Sequence, residues 1–99
     1  MKLVWTEKAS RDALSIHAYI SEHSETYADS VYERMLARPN QLIAHPESGS
    51  VVPEFGRQDV REMFLHSFRI MYLLLPDEIH ILTIVHGARI LDFHLPQEP

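Results

Sequence analysis

From Val60 to Leu91 the chain reads V-R-E-M-F-L-H-S-F-R-I-M-Y-L-L-L-P-D-E-I-H-I-L-T-I-V-H-G-A-R-I-L. Three runs of β-branched, aromatic and aliphatic residues are separated by two short breaks, His66-Ser67 and Pro76-Asp77-Glu78. Breaks of that length join neighbouring antiparallel strands, because a parallel crossover needs about a dozen residues or more. A three-stranded meander is therefore expected. A two-residue turn at His66-Ser67 pairs Leu65 with Phe68, Phe64 with Arg69 and Glu62 with Met71. A three-residue turn at Pro76 to Glu78 pairs Leu75 with Ile79, Leu73 with Ile81 and Met71 with Thr83. Period-two alternation then sorts the side chains. Met63, Leu65, Phe68, Ile70, Tyr72, Leu74, Leu82 and Ile84 form a core face. Glu62, Phe64, Arg69, Met71, Leu73, Ile81, Thr83 and Val85 form a mixed face, with Arg69 near its middle and Glu62 diagonal to it, within reach of a cross-strand ion pair.

Upstream, Lys2 to Trp5 suits a short strand, and Thr6 suits a helix N-cap followed by Glu7. Ala9, Ala13, Ile16 and Ile20 make one helical stripe, predicting a helix from about Glu7 to His23. Ala28, Val31, Tyr32, Met35, Leu42 and Ile43 predict a second from about Thr26 to Ala44, with a kink or a new start at Pro39. The short link between them makes an antiparallel helical hairpin. His45 to Asp59, punctuated by Pro46, Gly49, Pro53 and Gly56, reads as one long loop whose Val51, Val52 and Phe55 pack down. The order is β-α-α-β-β-β. The class is α+β, with the helical hairpin packed on one face of an antiparallel sheet, in a single domain over 1–95 with a short tail at 96–99.

Nine Lys and Arg against fourteen Asp and Glu give a net charge of −5, the wrong sign for strong direct nucleic-acid binding. Cysteine is absent, which removes disulfides, thiolate metal sites and thiol nucleophiles and suits a reducing cytoplasm. The longest apolar runs fall far short of the ~20 residues of a membrane span, and no membrane association is expected. Lysine occurs only at Lys2 and Lys8, so the remaining cations are arginines, the residue suited to bidentate contacts with carboxylates or phosphates.

The segments V-W-T-E-K-A at 4–9, D-A-L-S-I-H-A-Y-I at 12–20, L-I-A-H-P-E-S-G at 42–49, V-P-E-F-G at 52–56, V-R-E-M-F at 60–64, F-R-I-M-Y at 68–72 and I-V-H-G-A-R at 84–89 resemble the RelE/ParE superfamily of toxins from type II toxin–antitoxin systems, and the ParE branch in particular. The resemblance implies a toxin that poisons DNA gyrase, is not an enzyme, needs no cofactor and forms a hetero-oligomer with a cognate antitoxin. Its runner-up is a ribosome-dependent mRNA endoribonuclease of RelE type, and a third reading is a non-toxic subunit of an antitoxin complex. Ribonuclease chemistry needs a base, cations for the phosphorane charge and a proton donor. Arg69, Arg89 and His86 would be its groups here, but the position where such relatives carry basic loop residues reads Pro53-Glu54-Phe55-Gly56, and no tyrosine follows Arg89.

Two roles are open to Arg69, and both can hold, because bidentate Arg–carboxylate pairs rearrange on binding. One is an ion pair with Glu62 or Glu54 that tethers the loop to the sheet; the other is contact with an acidic antitoxin segment or with gyrase. Arg61 is expected to pair with Asp59 or Glu54. If the loop leaves the mixed face partly open, the antitoxin's apolar anchors land on Phe64, Met71, Leu73 and Ile81, with Arg69 fixing orientation. Arg89, His86 and His94, at the C-terminal end, are the expected target-binding residues. His80 and His86 lack the third ligand that a metal site would need, so no metal is expected.

Overall fold

The computed structural model describes residues 1–87. Its elements are β1 (Lys2–Trp5), α1 (Glu7–Ser21), α2 (Glu25–Ala37), a 3-10 segment (Arg38–Ile43), β2 (Ser50–Val51), β3 (Val60–Leu65), β4 (Phe68–Leu74) and β5 (Glu78–His86). They make one five-stranded sheet in the order β1-β5-β4-β3-β2, with α1 and α2 on one face. The α+β class and the helical hairpin are as the sequence reads. Two features of the sheet differ. β1 lies parallel to β5, with Leu3 opposite Ile79, because the two-helix crossover returns the chain to the far edge. The long loop also contributes a strand of its own, with Ser50 opposite Glu62.

Thr6 shows how the local sequence builds the junction. Its Oγ1 accepts from Ala9 N at 3.1 Å, capping α1, and donates to the Ile81 carbonyl at 2.7 Å. One side chain thus ends β1, starts α1 and ties both to β5. Ala9 and Ala13 are fully buried, and Ile16 and Ile20 pack on the same core. Ser24 caps α2 by accepting from Tyr27 N. Pro39 then opens the 3-10 segment in its first turn, where a missing N–H costs nothing. The tighter winding buries Leu42 and leaves Ile43 45% exposed, so Ile43 leaves the stripe on which the α-helical period puts it.

The β3–β4 hairpin has the expected register, with Leu65 opposite Phe68, Phe64 opposite Arg69 and Glu62 opposite Met71. His66 takes a φ of 53° to make the turn. In the β4–β5 hairpin Met71 faces Thr83 as expected, but the turn is one residue tighter. Leu75 N donates to the Glu78 carbonyl at 2.8 Å, and Leu74 rather than Leu75 faces Ile79. A β-bulge restores the register, since Met71 pairs with Thr83 and Tyr72 with Ile81, leaving Leu82 without a partner.

That bulge changes the faces of β5. Ile81, expected on the mixed face, packs with the helices, whereas Leu82, expected in the core, packs on the opposite side with Val52, Val60, Met71 and Leu73. Thr83, also expected on the mixed face, turns its hydroxyl to Asp12 of α1. The Asp12 carboxylate further accepts from Ile84 N at 3.2 Å and from Lys8 Nζ at 3.1 Å. This polar latch holds α1 against the irregular stretch of β5.

Candidate functional site

The site is best built from Arg69, which β4 sets in the middle of the face away from the helices. Its Nε donates to Glu62 Oε1 at 2.6 Å. Its Nη1 and Nη2 donate in parallel to Glu54 Oε2 and Oε1, both at 2.8 Å. Strand pairing puts Glu62 diagonal to it. Glu54 comes from the loop, where Val52 is fully buried and accepts from Phe55 N and Gly56 N in a tight turn. Gly56 completes that turn at a φ of 61°, a conformation that glycine adopts without strain. Arg69 is only 7% exposed, so its charge is compensated within the chain.

The Arg69 guanidinium holds the Glu54 carboxyl down at about 2, well below its ordinary 4.5, and Glu54, followed by Glu62, in turn raises Arg69. Of the two roles open to Arg69, its geometry is that of the intrachain tether. Both edges of its fork that carry charge-assisted bonds are occupied by carboxylates.

Arg61 departs from expectation. It makes no ion pair with Asp59 or Glu54. Its Nε and Nη2 bond the carbonyl and side chain of Gln58, and its Nη1 bonds the carbonyls of Gly49 and Glu47. Asp59 is held instead by Arg57, two residues away, at 2.7 and 3.0 Å, and Arg57 lowers its pKa. Glu54 is already engaged by Arg69. Arg61 thus holds the entry of the loop through backbone carbonyls, helped by Tyr72, whose phenol accepts from Gly49 N and donates to the Pro46 carbonyl, each at 3.0 Å.

The apolar residues expected to await a partner are largely covered by this loop. Met71 is fully buried and Leu73 is 4% exposed, packed with Val52, Val60 and Leu82 and flanked by Phe55. Ile81 is buried against the helices. Only Phe64, half-exposed on β3, presents a large apolar side chain from that set. The expected patch of Met71, Leu73 and Ile81 is therefore not a surface in this fold: two of the three lie under the loop, and the bulge turns the third inward.

His86 stands exposed at the end of β5 with its ring edge-on to Phe68 at 5.8 Å. Arg89 and His94 lie outside the described residues. His80 pairs with Glu78 at 2.8 Å, and among the described residues no group of three His, Cys, Asp or Glu is placed to hold a metal ion. No helix among them is long and apolar enough to cross a membrane.

Sequence reasoning passed over Arg34 and Arg38. They sit four apart, where α2 runs into the 3-10 segment, next to Phe64 and His66 of the β3–β4 hairpin. Their spacing is a helical signal, but nothing upstream marks the hairpin as their neighbour.

The family model for the ParE toxin of the type II toxin–antitoxin system parDE matches residues 3–91. The chain belongs to the ParE toxin family. A solved structure from the chromosomal ParDE toxin–antitoxin system of P. aeruginosa is similar to it, with a TM-score of 0.72 and 25% identity, covering 87% of this chain and 95% of that one. Comparison with curated proteins finds no match. The ParE assignment agrees with the segments that carry the resemblance, which run from residue 4 to residue 89. It makes this chain a type II toxin. As a ParE toxin it carries the family's α+β frame, on which Arg69 fastens the loop and the β3–β4 hairpin meets the end of α2.

Proposed function

We propose that this ParE-family toxin inhibits DNA gyrase by binding it, without catalysing a reaction of its own, and that a cognate antitoxin neutralises it in a hetero-oligomer. The observation that carries the non-catalytic part is the state of Arg69. A ribonuclease of RelE type would aim this mid-sheet cation at a phosphorane. Here it is buried and spends its charge on Glu62 and Glu54, and it is therefore unsuited to that role. The acidic balance of the chain supports the same conclusion.

In this reading Arg69 acts on the partner indirectly, by holding the loop in place. Phe64 is the antitoxin-contacting residue of the expected set, and Arg89, His86 and His94 form the target-binding end. The test is expression in a host whose growth is followed with and without the gene beside it. Growth arrest that the neighbouring gene relieves, with both products co-purifying, supports neutralisation by an antitoxin. Growth unaffected by the toxin alone, or arrest that the neighbour does not relieve, contradicts it.

A further inference from the structure

The described arginines divide into two groups. Arg11, Arg57 and Arg69 are paired with carboxylates, and Arg61 is tied to backbone carbonyls. Among the described residues Arg34 and Arg38, like Arg61, have no carboxylate partner, and each makes a single side-chain contact. Arg38 Nε donates to the Phe64 carbonyl at 3.1 Å, and Arg34 Nη1 lies 3.2 Å from His66 Nε2. Both contacts orient the guanidinium and leave Nη donors without a partner among the described residues. Between them runs a groove of about 340 Å³ lined by Arg34, Ala37, Arg38, Gln41 and Leu65.

Two like charges four apart on a helix repel each other. In a chain of net charge −5, with carboxylates supplied to Arg11, Arg57 and Arg69, this pair is a local reversal of sign. The dipole of α2 favours a cation in its last turn, which accounts for charge there but not for a guanidinium fixed to the neighbouring hairpin.

We infer that the Arg34–Arg38 groove is a docking site for an acidic segment of the antitoxin, whose carboxylates meet the two guanidiniums while an apolar side chain lies on Ala37 and Leu65. This rests on the proposed neutralisation by an antitoxin and names where and by what chemistry it occurs. Guanidinium forks match carboxylates bidentately. The apolar floor favours a peptide over a nucleic-acid backbone, which would also meet the repulsion of an acidic protein.

The test uses the purified full-length toxin and the product of the neighbouring gene, with affinity measured by calorimetry across a range of NaCl concentrations. Arg34→Gln with Arg38→Gln is expected to weaken binding by about tenfold or more and to flatten its salt dependence, chiefly by slowing association. Arg34→Gln and Arg38→Gln singly are each compared with Arg11→Gln, which removes one positive charge on α1 from a residue that does not line the groove and should leave affinity unchanged. Equal affinity and equal salt dependence for the double variant overturn the inference while leaving neutralisation intact. So does a double variant that keeps its antitoxin affinity but loses binding to a short duplex DNA, which would assign the groove to phosphates. Wild-type toxin that binds no antitoxin overturns both the inference and the reading beneath it. Thermal unfolding of the free double variant is expected to match wild type, since neither residue is buried.

Discussion

Glu54 closes onto Arg69 through two parallel hydrogen bonds of 2.8 Å, joining a loop turn to the middle of a sheet fifteen residues further along the chain. Glu62 fills the third position on the same guanidinium at 2.6 Å. The loop between β2 and β3 is therefore held by charge as well as by the burial of Val52, and the cover it forms over Met71 and Leu73 depends on both.

Breaking this centre on one side should be costly. Arg69→Ala leaves Glu62, which is 6% exposed, buried without its counter-charge, and a loss of about 3–5 kcal/mol is expected. Changing Glu62 to Gln in the same chain removes the stranded charge and should recover part of that loss. Urea unfolding of the single and double variants checks both.

The same centre predicts an acid response. Glu54 has its pKa lowered from 4.5 to about 2 by Arg69. A carboxyl whose folded pKa lies below its unfolded one contributes stability that is complete above the unfolded value and disappears as pH falls through the folded value. The contribution should therefore decline between about pH 4.5 and pH 2. Glu54 is partly open to solvent, so screening makes its share modest. Glu54→Gln should be less stable at neutral pH and lose less stability across that acidic window, as read from unfolding curves at a series of pH values.

The latch between α1 and β5 gives a third prediction. Thr83 is fully buried and donates to Asp12, which also accepts from Ile84 N. Thr83→Val keeps the shape and removes the hydrogen bond to Asp12 together with the one that Thr83 Oγ1 accepts from Lys8 Nζ at 3.2 Å, which should cost about 1.5–3 kcal/mol. Amide exchange at Ile84 should rise with it, because the Asp12 carboxylate that holds this N–H loses its second anchor.

Gly49 offers a fourth. A Cβ there would meet the Tyr72 hydroxyl and lie 2.6 Å from the Glu62 carbonyl oxygen. Gly49→Ala should cost about 1–3 kcal/mol through the forced shift. Adding Tyr72→Phe removes one obstacle but leaves the backbone one, so the double variant should not regain wild-type stability. Thermal melts compare the two.

These relationships differ in how readily the sequence reveals them. The β3–β4 register was legible because a two-residue break and strict alternation leave little freedom, and the diagonal from Glu62 to Arg69 followed from it. The faces of β5 were not. The bulge at Leu82 carries no glycine to announce it, yet one unpaired residue is enough to turn Ile81 inward and Leu82 outward. The partners of Arg61 are not legible because several carboxylates lie nearby in sequence, and only the folded loop shows Arg57 taking Asp59 while Arg61 reaches the carbonyls of Glu47, Gly49 and Gln58. The groove at Arg34 and Arg38 depends on α2 meeting the β3–β4 hairpin, a tertiary contact that helical spacing does not contain.

The central claim, that this ParE toxin acts by binding gyrase, is tested most directly by purified toxin with purified gyrase, ATP and relaxed plasmid, followed by gel analysis of topology. The account predicts loss of supercoiling with accumulation of linear DNA, both relieved by prior addition of the antitoxin. Unimpaired supercoiling with toxin in clear excess over gyrase would contradict it.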